Sequence, residues 1–365
     1  MRSPGAGKPP RSRTDWEPWR DWAIWGGVLH GLLLTVALLQ VPIGQLWVWC
    51  LPLGLVMAGA TLTVLHDAGH KQFSARRLWP NVLAVQTAVP IGLWVGHWTL
   101  KHRVHHRVTA VYPLDDATRT SSLLRFHPAD QLRWIHRYQH LYAWPLYGLA
   151  WVGELQSQLS YLRTGRIDAT VTPSRPRRLL SFVVEKALCA IVLAPYLWLM
   201  GWQSLSLLVV GSMTVGGVAA GVVLVVGHIN LGLDPTTNAP AGRDWAVHLM
   251  RTTASFSTRA TTAGALTRWM TGGMTHHLAH HLRPVAARSQ LPALHATIVA
   301  DLARSTGEPV REFPTLLAAT RGHWLRLKQL GAVPSSPTTG PLEEPQTATS
   351  ATTGGGRAFI HSSPS

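Results

Sequence analysis

The chain has 365 residues, of which 46% are hydrophobic and only 14% are charged, and its formal net charge at pH 7 is +16. Such a basic chain is typical of proteins that bind nucleic acid or an anionic membrane surface, and the 17 tryptophans and long apolar runs favour the membrane over nucleic acid. The two cysteines, Cys50 and Cys189, lie inside apolar runs, which argues against a disulfide framework and a thiolate metal site.

Four apolar runs are long enough to cross a bilayer, which takes about 20 residues. In chain order they are residues 22–41, 46–65, 180–200 and 204–227. Residues 66–178 hold fifteen Lys and Arg against six Asp and Glu, so the positive-inside rule places this segment and both termini in the cytoplasm. We therefore expect an all-α integral membrane protein of the bacterial cell membrane. It would have four transmembrane helices in two hairpins and a cytoplasmic helical cap.

Three segments are expected along the chain. Residues 1–20 would form a basic cytoplasmic arm without regular structure, and residues 21–330 would form the membrane domain. Residues 331–365 are rich in Ser, Thr, Pro and Gly, which predicts a disordered tail. Two further apolar stretches, 82–100 and 142–155, contain Pro and Gly and are interpreted as re-entrant or interfacial segments.

Eight of the 19 histidines lie in three short clusters. "HDAGH" begins where the second apolar run ends, "HRVHH" lies in the basic segment, and "HLAHH" follows the fourth run. At about 100° per residue, spacings of three and four place the imidazoles of each cluster on one helical face. The predicted topology brings all three clusters to one side of the membrane, so we expect these side chains to form a metal site. They are His66, His70, His102, His105, His106, His277, His280 and His281.

Eight imidazoles exceed the needs of a single ion, since a zinc site uses about four ligands, and they therefore predict two metal ions. Nitrogen-only coordination is compatible with iron, copper or zinc. A site at the mouth of a lipid-embedded helix bundle faces acyl chains, whose unactivated C–H bonds give a Lewis acid nothing to polarise. Oxidation of such bonds requires a redox metal and O₂, which favours iron.

Two more residues are candidates for the site. His228, at the end of the fourth run, is expected to be a ninth ligand or a hydrogen-bond partner of a ligand, with a capping role as the alternative. Asp67 follows His66 directly and is expected either to orient an imidazole or to cap a helix end.

The three clusters resemble the histidine boxes of the membrane fatty acid desaturases, and the resemblance extends from about residue 65 to residue 294. It implies two non-haem iron ions held by the eight histidines, with O₂ as co-substrate. It also implies removal of two hydrogens from the acyl chain of an acyl-lipid or acyl-CoA. A separate electron donor, such as a ferredoxin with its reductase, is expected. The third box begins with His277 where front-end desaturases carry Gln, which favours an enzyme of the non-front-end type.

Two alternatives stay open at this point. The same centre would serve a membrane di-iron hydroxylase that acts on a lipid or a carotenoid, because the two outcomes differ only in substrate placement. A non-catalytic membrane metal-binding or transport protein would need polar residues along the spans as an ion path, and the apolar runs contain almost none.

Overall fold

The computed structural model describes residues 16–115, 122–167, 173–236, 244–307 and 309–332. Of the expected N-terminal arm, residues 1–15 lie outside the described residues, as does the expected tail from residue 333 onward. Helices make up nearly all of the regular structure in the described part, in agreement with the all-α prediction.

The first helix begins earlier than expected, because residues 17–20 of the supposed arm form its first turn. An acidic residue, Glu17, and a proline, Pro18, stand at this end, and both favour a helix start. In chain order, the described α-helices are α1 (Glu17–Leu38), α2 (Leu46–Ala60), α3 (His66–Gly69), α4 (Trp79–Ala88), α5 (Val95–Arg107), α6 (Gln139–Gly148), α7 (Ala150–Thr164), α8 (Arg175–Val225), α9 (Asp244–Thr252), α10 (Thr262–Met270), α11 (His277–Leu282), α12 (Leu291–Thr306) and α13 (Leu316–Leu330).

By length and composition, three helical stretches of the described chain suit a membrane crossing. They are Glu17–Leu38, Ile43–Gly69 and Arg175–Val225. The second contains α2 and α3, which are joined without a break by a π-helical turn at Thr61–Leu65.

The third stretch, α8, is not one straight helix, because Gly201 has φ 74° and ψ 164°. Before Gly201, Tyr196 contacts His30 and Leu199 contacts Gln40, so this half follows the direction of α1. After Gly201, the backbone follows α2 in the same way: Gly211 packs on Cys50 and Gly216 packs on Gly54 and Ala58. Since α1 and α2 themselves form a hairpin, the chain doubles back at Gly201.

A Gly201→Ala substitution is expected to destabilise the protein by about 1–3 kcal/mol, since this backbone conformation is essentially restricted to glycine. An added Cβ would meet no atom within 4 Å, so the whole effect would come from the backbone. The thermal unfolding midpoint in detergent measures it. Gly31→Ala in α1 is the matched control, because its Cβ also meets nothing and its backbone is helical. Equal midpoints for the two variants would contradict the prediction.

The stretch 82–100 contains two short helices, α4 and α5, separated by a non-helical segment at residues 89–94. Its backbone groups are paired by side chains from neighbouring helices. Gln86 donates to the carbonyl of Leu93, and Glu185 of α8 accepts from the N–H of Val95, both at 2.7 Å. Buried non-helical backbone requires such internal partners, and the contact with Val95 explains the acid inside an apolar helix.

Helices α5 and α9 to α13, with the segments that join them, form a cap over the ends of α3 and of the second half of α8, whereas α6 packs alongside α8, with Gly148 against Thr214. Two short parallel strands, β1 (Ser255–Phe256) and β2 (Glu312–Phe313), pair within this cap. Phe256 and Met274 of the cap pack in one apolar cluster with Leu62 and Val223. This cluster holds the cap against the ends of the long helices, beside the histidines described next.

Candidate metal centre

The structure brings the three predicted histidine clusters together from α3, α5 and α11. Among the described residues, two sets of histidines have ring nitrogens within 4.8 Å of one another. Group A consists of His66, His70, His102, His106 and His280, and group B consists of His105, His228 and His281. His277 belongs to neither group, but its ring centroid lies 4.6 Å from that of His228 and 4.7 Å from that of His281.

In group A the imidazoles turn their Nε2 atoms toward one another. The Nε2 atom of His280 lies 3.1 Å from that of His66 and 3.1 Å from that of His106. The Nε2 atom of His102 lies 3.2 Å from that of His106 and 2.9 Å from that of His70. Five ring nitrogens thus face a common point, and they come from all three sequence clusters.

In group B the hydrogen bonds determine the tautomers. His105 Nδ1 lies 2.9 Å from a carboxylate oxygen of Asp115, which only accepts, so Nδ1 carries the proton. His281 Nδ1 lies 3.1 Å from the hydroxyl of Thr109, whose own proton goes to the carbonyl of His105. His228 Nδ1 faces the carbonyl of Thr252 at 3.4 Å.

Each of these three imidazoles therefore presents an unprotonated Nε2 to the others. The Nε2 atoms of His281 and His228 are 3.1 Å apart. Two lone pairs at this distance repel each other unless a cation lies between them. The donor set of group B therefore fits a metal ion, and neutral imidazole is a ligand that iron, copper and zinc accept.

Burial favours the neutral form of several of these imidazoles. It lowers the pKa of His70 to about 4 and that of His228 to about 3. The pKa values of His277, His280 and His281 are also well below their usual range, chiefly because of burial. The rings of these five histidines are consequently free of extra protons at neutral pH, as metal binding requires.

The two additional candidates from the sequence have different outcomes. His228 lies inside group B, with its ring directed at the other members. Asp67 instead pairs with Arg288, whose Nη2 lies 2.9 Å from the carboxylate. The side chain of Asp67 is thus directed at Arg288, and its role in orienting an imidazole stays a prediction. The side chains of neighbouring helix residues project about 100° apart, so Asp67 does not lie on the helix face that carries His66.

Asp115 is the residue that the sequence reasoning missed. Its carboxylate is fully buried, accepts from the N–H of Ala110 at 2.7 Å and holds His105. These contacts outweigh the effect of burial and keep the pKa of Asp115 below its usual value. A general signal was available, because metal-binding histidines usually donate their second N–H to a carboxylate or carbonyl. Nothing in the local pattern singled out Asp115 among the six acids of residues 66–178.

A cavity of about 600 Å³ adjoins the histidines. It is lined by residues 57–66, by one face of the second half of α8 and by parts of α5, α6 and α7, and its walls are mainly apolar. Apolar lining residues include Met57, Leu62, Leu65, Met213, Ala220 and Leu224. Along the first wall the lining extends over ten residues from Met57 to His66, across the end of α2, the π-helical turn and the start of α3, or about 13 Å. The cavity therefore has the form of an apolar channel with imidazoles in its wall.

Comparisons with known proteins show which family the chain resembles over most of its length. A family model described as fatty acid desaturase matches residues 43–314. The sn-1 linoleoyl-lipid 6-desaturase of Synechocystis sp. is 26% identical over 291 residues, which are 77% of this chain and 79% of that protein. A protein of the same name from Arthrospira platensis is 25% identical over 297 residues, or 79% and 78% of the two chains. The acyl-lipid (7-3)-desaturase of Chlamydomonas reinhardtii is 27% identical over 309 residues, or 78% of this chain and 56% of that protein.

Proposed function

The chain belongs to the fatty acid desaturase family, and from that premise we propose that it is an O₂-dependent membrane desaturase of acyl chains with two histidine-bound irons. The observation that carries the proposal is the junction of the apolar channel with groups A and B. Imidazoles of both groups, among them His66, His102, His105 and His228, line the same cavity as the apolar residues. A saturated chain in this channel would lie alongside the metal ligands.

We assign one metal ion to each group. His66, His70, His102, His106 and His280 would hold one iron, and His105, His228 and His281 would hold the other, with His277 beside the second. Two irons bound there would supply the one-electron chemistry with O₂ that breaking unactivated C–H bonds requires. The overall reaction balances. O₂ is reduced to two waters by two hydrogens of the acyl chain, two electrons from the donor and two protons, and the acyl chain is left with a double bond.

The protein's own residues would bind and orient the substrate. The apolar walls on α2 and α8 exclude water and keep the chain extended, so that one C–C bond faces the ligands. Asp115, Thr109 and Thr252 hold the imidazoles of group B with Nε2 unprotonated. The ligand geometry is thus set before metal or substrate binds.

The proposed topology has four crossings, by α1, by α2 with α3, and by the two halves of α8. The cap, the metal centre and both termini would then lie in the cytoplasm. Exposed cations stand directly beside ligands in the cap, at Lys71, Arg103, Arg107 and Arg283. They favour the cytoplasmic side and would suit an acidic one-electron carrier such as a ferredoxin, reduced by its own reductase.

For the substrate we propose an acyl-lipid rather than an acyl-CoA, since the names of the relatives specify lipid-linked chains. The non-front-end assignment rests on His277 alone. The positions 6 and 5 in several relatives' names do not support it, whereas another relative is named an omega-13 desaturase. The position of the new double bond therefore has to be measured.

Expression in a host with a simple lipid profile, together with a ferredoxin and its reductase, tests the proposal. Mass spectrometry of the acyl chains is expected to show products two hydrogens lighter than their precursors, and fragmentation locates the double bond. A product heavier by one oxygen would identify a hydroxylase. An unchanged lipid profile from iron-loaded protein with an active donor would refute the desaturase proposal.

A further inference from the structure

Arg288 connects three distant segments of the chain beside the candidate metal centre. It begins a short 3₁₀ turn, Arg288–Gln290, shortly after α11. Its Nη2 atom lies 2.9 Å from the carboxylate of Asp67 in α3 and 2.5 Å from that of Asp21 in α1. Trp269 also donates to Asp21, at 3.1 Å.

All three charged side chains are withdrawn from solvent. Asp21 is 0% exposed, Asp67 is 5% exposed, and the Arg288 side chain is 12% exposed. Asp21 has a second cation in Arg20, whose Nε lies 2.7 Å from its carboxylate, whereas the ion pair described for Asp67 is the one with Arg288. A buried pair of this kind is tolerated only while both partners are present, because removal of one leaves an uncompensated charge.

The Asp67–Arg288 pair connects the two backbone segments that carry facing imidazoles. Asp67 follows His66 in the chain, and Arg288 lies eight residues after His280. The Nε2 atoms of His66 and His280 are 3.1 Å apart, although 214 positions separate the residues in sequence. The Asp67–Arg288 ion pair is therefore a second contact, beside that of His66 with His280, between α3 and the part of the chain around α11.

We propose that Arg288 is a positioning residue for group A, which acts through Asp67 to hold His66 and His70 against His280. This inference rests on the proposed metal centre. Group B has separate supports in Asp115, Thr109 and Thr252. Loss of Arg288 should therefore weaken one metal site of the two and leave the other unchanged.

Metal titration of the purified, full-length protein tests this directly. The chain is stripped with a chelator and titrated anaerobically with Co²⁺, and the visible absorption and the bound metal are measured. The wild type is expected to bind two ions. Arg288→Gln is expected to keep one tight site and to bind the second ion about 10- to 100-fold more weakly, the usual effect of losing a residue that supports a ligand.

A double variant identifies which site is affected. Asp115→Asn alone is expected to weaken the group B site, so it should also keep one tight site. If the two residues support different groups, Arg288→Gln with Asp115→Asn should leave no tight site. One tight site in the double variant would place both residues at the same group and overturn the proposal.

Arg288→Lys is the conservative variant. A single nitrogen makes both contacts of Arg288, so an ammonium group is expected to restore much of the lost affinity.

If Arg288→Gln fails to give a monodisperse protein, Asp67→Asn replaces it, with the same expected loss at one site. Two wild-type sites in Arg288→Gln, or an equal loss at both, would overturn the inference. A wild type that binds no metal would instead refute the proposed centre itself.

Discussion

A His280→Ala variant is expected to produce no detectable new unsaturation and to retain about one iron per chain instead of two. The Nε2 atom of His280 lies within 3.1 Å of the Nε2 atoms of both His66 and His106, so it meets imidazoles from both other sequence clusters. Removal of this imidazole takes a ligand from the site and leaves the group B supports in place. Lipid mass spectrometry and iron analysis of the purified protein measure the two effects.

His140→Ala is the matched control for this experiment. His140 is also partly enclosed, but its ring packs against Trp324, away from both groups. This variant should keep wild-type product and two irons per chain. Both variants should reach the membrane in similar amounts, because neither residue lies in an apolar span. Full activity of His280→Ala would show that the ligand assignment is wrong.

Asp115→Asn is expected to reduce desaturation by about 10- to 100-fold, through weaker iron binding at group B. The carboxylate of Asp115 accepts hydrogen bonds from donors that include His105 Nδ1 and the N–H of Ala110. An amide would direct its NH₂ group at one of them. It would also favour the tautomer of His105 that carries its proton on Nε2, where the lone pair for the metal is needed.

The control for Asp115→Asn is Asp301→Asn, the same chemical change at an exposed residue of α12. Asp301 pairs with Arg304 on the surface, and an exposed pair of this kind contributes little to stability. Activity and iron content should therefore be unchanged there. If Asp115→Asn retained wild-type activity and iron content, the carboxylate would have no part in holding His105 for the metal.

Several features of this protein were predictable because they depend on local sequence. The apolar runs predicted the long helices, and the spacing of three and four in HDAGH, HRVHH and HLAHH placed each set of imidazoles on one helical face. The break in α8 was also visible as the short polar interval between the third and fourth runs. Hydropathy and helical periodicity are properties of neighbouring residues, so no knowledge of the tertiary fold was needed.

The division of the histidines was decided by the tertiary structure. The box HRVHH contributes His102 and His106 to group A but His105 to group B, and HLAHH is divided in the same way between His280 and His281. His228, ambiguous in the sequence, is a full member of group B. Membership depends on how α3, α5 and α11 cross one another, and that crossing follows from packing of the whole cap.

The partners of the buried acids likewise came only from the tertiary structure. Asp67 is adjacent to His66 but pairs with Arg288, 221 positions away, while Asp115 reaches His105 across a turn. A buried charge takes whichever opposite charge or donor the fold brings within reach, because an unpaired one would be strongly destabilising. The spacing of the histidines thus predicted which residue type would bind a metal. The three-dimensional packing decided which carboxylates hold those residues in place.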